Sequence, residues 1–183
     1  FAVADVDAAA AAVTAAGGKV VYAPVMLGER GETAVFKDPE GVLFGVVHSK
    51  NGDPLDYAGD LNEWYWVDLW TADVEKAATF YRATIGYETS PVADDGPRSG
   101  VRLLSGGFAR AGIMQKNSEK SSATWLPYIR VADAKAAAAA ARAAGGKVLL
   151  DPVAMNIATM AIIADPTGAP VGIVQLPAPE AQP

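Results

Sequence analysis

The sequence has 183 residues, the length of one large domain or two small ones, and its 51% apolar and 20% charged residues argue against disorder. Its net charge of −6 offers no basic surface to nucleic acid, and no apolar run approaches the ~20 residues of a membrane span, so we expect a soluble, cytoplasmic protein that binds neither. The chain has no cysteine and one histidine, His48, which excludes disulfides, thiolate zinc sites, thiol nucleophiles and a histidine-rich metal cage within one chain.

An internal repeat organises the chain. The letters VADVD at 3–7, an alanine run and AGGKV at 16–20 recur as VADAK at 131–135, a second alanine run and AGGKV at 144–148. The tetrapeptide Asp-Pro-x-Gly follows in both copies, at 38–41 and 165–168. A more diverged copy lies between them and is marked by TADVEK at 71–76. Such self-similarity indicates repeated structural modules.

Each copy predicts a strand, a helix and two or three further strands. An aspartate at each helix start can cap free N–H groups, and a glycine after each helix supplies a left-handed exit. These pairs are Asp5 and Gly17, Asp73 and Gly86, and Asp133 and Gly145. One face of the middle helix carries Val74, Ala77, Ala78, Tyr81 and Ile85. Alternating apolar residues predict strands at 19–22, 33–36, 42–47, 160–164 and 170–175.

Three segments are predicted to lie outside this regular structure. Residues 49–60, with NGDP at 51–54, form a linker, and residues 90–100, with DDGP at 94–97, form a surface loop inside the middle copy. Residues 177–183 contain three prolines and are predicted to be an extended tail.

A repeated βαβββ module, with a helix-entry aspartate followed by Phe-Tyr and an Asp-Pro-x-Gly turn near its end, resembles the vicinal oxygen chelate superfamily. The marks here are Asp73 with Phe80 and Tyr81, and the turns at 38–41 and 165–168. That superfamily includes glyoxalase I, extradiol dioxygenases and the bleomycin-resistance proteins. The letters WVDLWT at 66–71 are similar to its branch labelled glyoxalase-like or "hydroxylase", which has two tandem domains. The resemblance implies an α+β fold in which βαβββ modules pair into an open, mixed-sheet half-barrel around a ligand cavity.

The resemblance also implies a division of the chain. Residues 61–176 would form one complete domain from a second module (61–116) and a third module (123–176), and residues 1–48, the first module, would be the second half of a preceding domain. Only four residues precede Asp5, so we expect an upstream module, or otherwise a second chain, to complete residues 1–48. Without it, one apolar face of that sheet, including Tyr22, Val35, Val46 or their neighbours, would be exposed.

Members of the superfamily usually hold a divalent metal with His, Gln or Glu on the first strand of each module and Glu on the last. By this resemblance the ligand positions here are Trp66, Leu126, Gly45 and Gly172. An indole, an isobutyl group and a hydrogen atom cannot coordinate a cation. We therefore expect no metal and no other cofactor. His48 lies at a strand end without a partner histidine, and we interpret it as a surface residue.

Strand alternation predicts which residues line a pocket. Residues two apart share a face of a strand, so Trp66, Asp68 and Trp70 face one way in the second module. The equivalent set in the third module is Leu126, Tyr128 and Arg130, and we expect these six side chains to converge on a small apolar or aromatic molecule. A structural alternative stays open, with both tryptophans in the core and Asp68 neutralised by Arg130 or Arg102. Further candidates for closing the pocket are Arg102, Arg110, Met114 and Gln115.

The leading functional hypothesis is a metal-independent protein that binds a small molecule, for antibiotic or metabolite sequestration or as a carrier. The alternative is an enzyme: a glyoxalase-like lyase or dioxygenase with a displaced metal, or a metal-free catalyst in which Asp68 acts with Tyr128. A third hypothesis is a regulatory or interaction protein that retains only the scaffold, since a fold does not fix a function.

Overall fold

The computed structural model describes residues 1–52, 59–92, 100–116, 121–155 and 158–177. The predicted linker, loop and tail lie in part outside these residues, at 53–58, 93–99 and 178–183. Among the described residues, no helix is long and apolar enough to cross a membrane. The chain forms two compact units, one of Phe1–Asp56 with Asp68–Trp125 and the other of Tyr57–Val67 with Leu126–Pro183.

The described elements follow the repeat. In chain order they are α1 (Val6–Ala15), β1 (Lys19–Met26), β2 (Glu32–Lys37), β3 (Leu43–His48), β4 (Trp64–Thr71), α2 (Val74–Ile85), β5 (Glu88–Pro91), β6 (Gly100–Ser105), β7 (Phe108–Gln115), β8 (Thr124–Arg130), α3 (Ala134–Ala143), β9 (Lys147–Ala154), β10 (Thr159–Ala164) and β11 (Pro170–Gln175). The predicted strands are confirmed, but β1 runs four residues further than expected, and Ser90 and Pro91 belong to β5 rather than to a loop.

Each module builds its own piece of sheet. The first module forms an antiparallel sheet in the order β1-β2-β3. The second module has the order β5-β6-β7-β4, and the third has the order β8-β11-β10-β9. In both, the first strand runs parallel to the last, β4 beside β7 and β8 beside β11, whereas the other pairs are antiparallel. The expected α+β class with mixed sheets is confirmed, and β5 and β9 are edge strands, so the sheet is open.

The three helices begin at the predicted aspartates. The side chains of Asp5, Asp73 and Asp133 accept hydrogen bonds from backbone N–H groups in the first turn, at 2.8, 3.0 and 2.8–2.9 Å. Helix α2 ends at Gly86, whose φ of 72° is the left-handed conformation that glycine adopts without strain. Local chemistry therefore accounts for these helix boundaries.

The core of the first unit joins the first module to α2. Helix α1 contributes the buried residues Val6, Ala9 and Val13, and this helix contacts all three strands of the first module as well as α2. The predicted face of α2 is buried except Ala77, which is half-buried, but Phe80 and Thr84 are buried as well. Phe80 is buried because its ring packs against the ring of Phe44 on β3, with 5.9 Å between the two ring centroids. Helix α2 is therefore covered over a wider arc than its own sequence pattern predicts.

The two faces of the β1-β2-β3 sheet differ in burial. Phe44 and Val46 point toward the helices and are buried, so the expectation that Val46 would be exposed is wrong. The alternation of β3 places Leu43 and Gly45 on the opposite face, where they are exposed. Tyr22 on the same face is 69% exposed, as expected.

In the second unit, the small side chains of α3 allow close packing on the sheet. Ala138 is buried against Ala161 of β10 and Ile173 of β11. At Gly146, which follows this helix, an added Cβ would clash with the carbonyl oxygen of Ala164 at 2.6 Å. The alanine and glycine residues of the repeat therefore set a short helix-to-sheet distance in this module.

Candidate functional site

The six predicted site residues lie on β4 and β8, each beside the last strand of its own module. Asp68 of β4 is in register with Gly112 of β7, and Tyr128 of β8 is in register with Gly172 of β11. Asp68 and Tyr128 both stand five residues before a helix-capping aspartate, so the two pairs are equivalent by the repeat. Gly112 thus occupies in the second module the position that Gly172 occupies in the third. The sequence alone does not identify Gly112, because no Asp-Pro-x-Gly turn precedes β7 and marks the position.

The second unit contains Trp66, Leu126, Tyr128 and Arg130. Leu126 and Tyr128 are buried, whereas Trp66 and Arg130 are half-buried. The ring of Tyr128 lies directly on Gly172, because a Cβ added to that glycine would overlap its ring carbons. The tyrosine therefore fills the space into which any side chain at position 172 would project.

Arg130 is tied to the segment that precedes β4. Its guanidinium Nη1 donates a hydrogen bond of 3.1 Å to the carbonyl oxygen of Gly59. Its backbone N–H donates to the carbonyl of Glu63 at 3.0 Å, and its carbonyl accepts from the N–H of Asn62 at 2.7 Å. These contacts give Arg130 a role in holding residues 59–63, beside the pocket role predicted for it.

The first unit contains Asp68 and Trp70. The carboxyl-bearing side chain of Asp68 is buried, with 8% exposure, and Trp70 is half-buried beside Met114 in the β4–β7 register. Arg102 of β6 is the register partner of Gly112, which is in turn the partner of Asp68. Asp68, Gly112 and Arg102 thus lie side by side on three neighbouring strands, and the glycine between the two charged residues has no side chain. This arrangement fits the alternative in which Arg102 neutralises Asp68.

At the strand positions where the superfamily resemblance places metal ligands, the side chains present do not fit a divalent metal. Trp66, Leu126, Gly172 and the newly recognised Gly112 stand where the superfamily resemblance places the ligands, and none of them carries a coordinating atom. In the part of the chain that the structure describes, no group of three or more His, Asp or Glu residues comes together as a metal would require. His48 is exposed at the end of β3, with its Nδ1 3.1 Å from the carbonyl oxygen of Val3.

A buried polar chain in the first unit was not predicted. The hydroxyl of Tyr81 on α2 donates to Oδ2 of Asp38 at 3.1 Å and accepts from Nε1 of Trp125 at 3.2 Å. Oδ1 of Asp38 accepts from the N–H of Val42 at 2.8 Å. The sequence predicts Asp38 only as a turn residue and Tyr81 only as part of a helix face. Their contact joins positions 43 residues apart, which no local pattern predicts.

Burial raises the pKa values of both Asp38 and Tyr81. Desolvation raises the pKa of the Asp38 carboxyl above 3.8, although its hydrogen bonds from Val42 and Tyr81 oppose this shift. Desolvation and the nearby Asp38 raise the pKa of the Tyr81 hydroxyl well above 10.0, so Tyr81 stays protonated. Asp165, the equivalent of Asp38 in the third module, has a lowered pKa because Thr167 and Ala169 donate hydrogen bonds to it. The Asp-Pro-x-Gly turn therefore occurs once with an aspartate whose pKa is raised and once with an aspartate whose pKa is lowered.

Two open clefts lie in the first unit, away from the predicted residues. One of about 770 Å³ is lined by Thr79, Arg82, Ala83, Tyr87, Glu88 and Thr89. The other, of about 370 Å³, is lined by Ala2, Val3, Ala4, His48, Ser49, Gly52, Ile85, Gly86, Tyr87 and Ser105. None of the six residues predicted for the site is among these lining residues.

Comparison with known proteins places the chain among glyoxalase-related sequences. The family model described as "Glyoxalase-like domain" matches residues 64–174. The protein named "Putative glyoxylase CFP32" from Mycobacterium tuberculosis is 30% identical over 182 residues, which cover 98% of this chain and 69% of the relative. "Anthracycline biosynthesis protein DauV" from a Streptomyces species is 32% identical over 187 residues, which cover 96% of this chain and 64% of the relative.

Among solved structures, the manganese-bound glyoxalase from Novosphingobium aromaticivorans has the same fold. The TM-score is 0.61 at 21% sequence identity, and the match covers 93% of this chain. The chain spans only 58% of the length of that glyoxalase.

Proposed function

Because the chain belongs to the glyoxalase-like domain family, we propose that it binds a small, flat, largely apolar molecule without a metal ion. One observation carries the proposal: the four strand positions at which the superfamily resemblance places metal ligands hold Trp66, Gly112, Leu126 and Gly172. At Gly172 the ring of Tyr128 occupies the space that a side chain would fill. An aromatic and apolar lining favours stacking and burial over Lewis-acid chemistry.

The aromatic residues of β4 and β8 are the proposed contacts. The indoles of Trp66 and Trp70 and the ring of Tyr128 would stack on the ligand, and Asp68 and Arg130 would orient its polar groups, with Leu126 adding apolar area. The name of DauV connects that relative with anthracycline biosynthesis. For this chain we therefore propose a planar polycyclic ligand, which it would sequester or carry.

A test of this proposal titrates the purified chain, in the presence of EDTA, with planar aromatic compounds that include an anthracycline. We expect at least one compound to raise the melting temperature, because a ligand that binds only the folded state stabilises it. Trp66→Ala and Trp70→Ala should weaken that binding at least about tenfold, the equivalent of about 1.4 kcal/mol. The control is Phe108→Ala, since Phe108 is an aromatic residue that is 64% exposed at the start of β7.

Phe108→Ala should leave the affinity within about twofold of the wild-type value, the range expected for a residue outside the site. The proposal fails if no compound of the panel binds. It also fails if the two tryptophan variants bind as tightly as the wild type.

A second candidate function is metal-free catalysis by Asp68, and the observation that favours it is the burial of this carboxyl-bearing side chain. A desolvated carboxylate is a stronger base than one in water. In this candidate, Tyr128 would hold the polar end of the substrate. Asp68→Asn separates the two functions, because a binder keeps most of its affinity in this variant, whereas an enzyme binds its substrate but no longer converts it.

A further inference from the structure

The Asp-Pro-x-Gly turns of the first and third modules make different contacts. In the third module, Oδ1 of Asp165 accepts hydrogen bonds from the N–H and hydroxyl groups of Thr167, at 2.8 and 2.7 Å, and from the N–H of Ala169 at 2.9 Å. These hydrogen bonds stay within the turn. In the first module the residue at the position of Thr167 is Glu40, and its carboxylate contacts the second module instead.

Glu40 contacts the junction between the end of β4 and the start of α2. One carboxylate oxygen accepts a hydrogen bond from the hydroxyl of Thr71, and the other accepts from the N–H of Ala72 at 3.3 Å. The hydroxyl oxygen of Thr71 in turn accepts from the N–H of Asp73 at 3.2 Å, and Asp73 caps α2. Hydrogen bonds to an ionised carboxylate are stronger than those between neutral groups. Glu40 therefore links the first module to residues 71–73.

The repeat shows that this contact is particular to the first and second modules. Thr71 stands two residues before a helix-capping aspartate, where the first and third modules have Val3 and Val131. A valine side chain has no hydroxyl to donate. On the acceptor side, the third module has Thr167 in place of Glu40. The shared fold therefore does not require the contact, and both of its partners are residues that the other modules lack.

The residue that Glu40 holds is adjacent to a proposed ligand contact. Thr71 is fully buried, and strand alternation places it on the opposite face of β4 from Asp68 and Trp70. The carbonyl oxygen of Thr71 also accepts from the N–H of Lys116 at 2.9 Å. The backbone that follows Trp70 is thus fixed by contacts on the face that does not carry the indole.

We propose that Glu40 is a positioning residue for the indole of Trp70, because it holds the end of β4 on the face opposite to that indole. The consequence for ligand binding rests on the proposed function, in which Trp70 stacks on a planar ligand. A buried hydroxyl that loses its acceptor is costly. Removal of the Glu40 carboxylate should therefore let the Thr71 hydroxyl and the end of β4 rearrange, and the orientation of Trp70 should change with them.

Fluorine NMR of the full chain labelled with fluorotryptophan tests the positioning without any ligand. The chain has four tryptophans, and Trp70→Phe identifies the resonance of Trp70. Glu40→Ala should shift this resonance or broaden it at least about twofold, as exchange between conformers on the microsecond-to-millisecond timescale does. Glu40→Gln should retain a signal close to that of the wild type, because its amide oxygen still accepts a hydrogen bond.

The matched control is Glu29→Ala. Glu29 is a glutamate of the same module whose side chain is 82% exposed and pairs with Lys50, which is 52% exposed. An ion pair this exposed contributes little, so the resonance of Trp70 should not change. An unaltered Trp70 resonance in Glu40→Ala overturns the proposal, as does an equal change in Glu29→Ala.

A second variant tests the same contact from the other side. Thr71→Val removes the hydroxyl and should alter the Trp70 resonance as Glu40→Ala does. The double variant should show less than the sum of the two single effects, because both changes remove one interaction. Additive effects would mean that Glu40 and Thr71 act separately, and would overturn the proposal.

Titration with the planar aromatic compounds then connects the positioning to binding. For a compound that binds the wild type, Glu40→Ala should weaken the affinity about 3- to 10-fold, the size of effect reported for residues that do not touch the ligand. Glu40→Gln and Glu29→Ala should stay within about twofold. Unchanged affinity in Glu40→Ala overturns the link to the ligand. If no compound binds, the proposed function fails, whereas the fluorine spectra decide the role of Glu40 on their own.

Discussion

Gly172 and Gly45 occupy the same position in two modules but have different surroundings. The Tyr128 ring lies where a Cβ of Gly172 would be, whereas a Cβ at Gly45 would make one ordinary contact, with the Ala34 carbonyl. We expect Gly172→Ala to overpack a buried site and to lower the free energy of unfolding by about 1–3 kcal/mol. Gly45→Ala should change it by less than about 0.5 kcal/mol. Urea denaturation of both variants measures this difference, and equal effects would show that Tyr128 is not held on Gly172.

The two turn aspartates should give the free energy of unfolding opposite dependences on pH. The pKa of Asp38 is raised in the folded state, so folding binds a proton and stability falls as the pH rises from 3.8 through the raised value. The pKa of Asp165 is lowered, so its contribution is complete above 3.8 and is lost as the pH falls through the lowered value.

Replacing each aspartate with asparagine isolates its contribution. The loss of stability caused by Asp38→Asn should be smaller at about pH 7 than at about pH 4, because asparagine imitates the neutral carboxyl. The loss caused by Asp165→Asn should be larger at about pH 7 than at about pH 3. Urea denaturation across this pH range measures both trends. Parallel pH profiles for the two variants would contradict the assignment of Asp38 as the buried carboxyl.

At this scale the sequence predicts residue types better than contacts. The resemblance and the repeat identify Trp66, Leu126 and Gly172 as positions without ligating atoms. They do not predict that Tyr128 fills the place of the missing side chain, because this contact depends on the register of β8 against β11. The link between Asp38 and Tyr81 likewise depends on the packing of one module on another.

Among the elements, helix α3 offers a clean test of local stabilisation. Asp133 accepts hydrogen bonds from the N–H groups of Lys135 and Ala136, at 2.8 and 2.9 Å. Asp133→Ala removes this cap and should lower the free energy of unfolding by about 1 kcal/mol. Asp133→Asn keeps an acceptor and should cost much less. Thermal unfolding followed by circular dichroism compares the variants, and an equal loss from both would argue against the cap.

The elements were predictable wherever their signals are local. The aspartates and glycines of the repeat define the ends of the three helices, and alternation defines most strands. The errors arise where distant parts of the chain meet. Phe80 is buried because the first module covers α2, and Val46 is buried because β3 turns its even-numbered residues toward the helices. Alternation shows that two faces of a strand differ, but not which face the rest of the chain covers.

For the whole molecule, the sequence predicted the superfamily and the fold class because a module that recurs within one chain is a strong signal. The family match and the fold of the manganese-bound glyoxalase agree with that prediction. Function is harder to predict at this scale, because the residues that define the superfamily fold are not those that bind a metal. The convergence of Trp66, Asp68, Trp70, Leu126, Tyr128 and Arg130 on one ligand stays a prediction, as does the completion of residues 1–48 by a further module.

The central proposal is that the strand positions at which the superfamily resemblance places metal ligands hold no divalent ion in this glyoxalase-like chain. Isothermal titration calorimetry of the EDTA-treated and dialysed chain with Mn²⁺ and then Zn²⁺ tests it directly. We expect no saturable binding in the micromolar range for either ion, because Trp66, Gly112, Leu126 and Gly172 provide no ligand. Saturable binding of one ion per chain, with an accompanying rise in melting temperature, would contradict the claim.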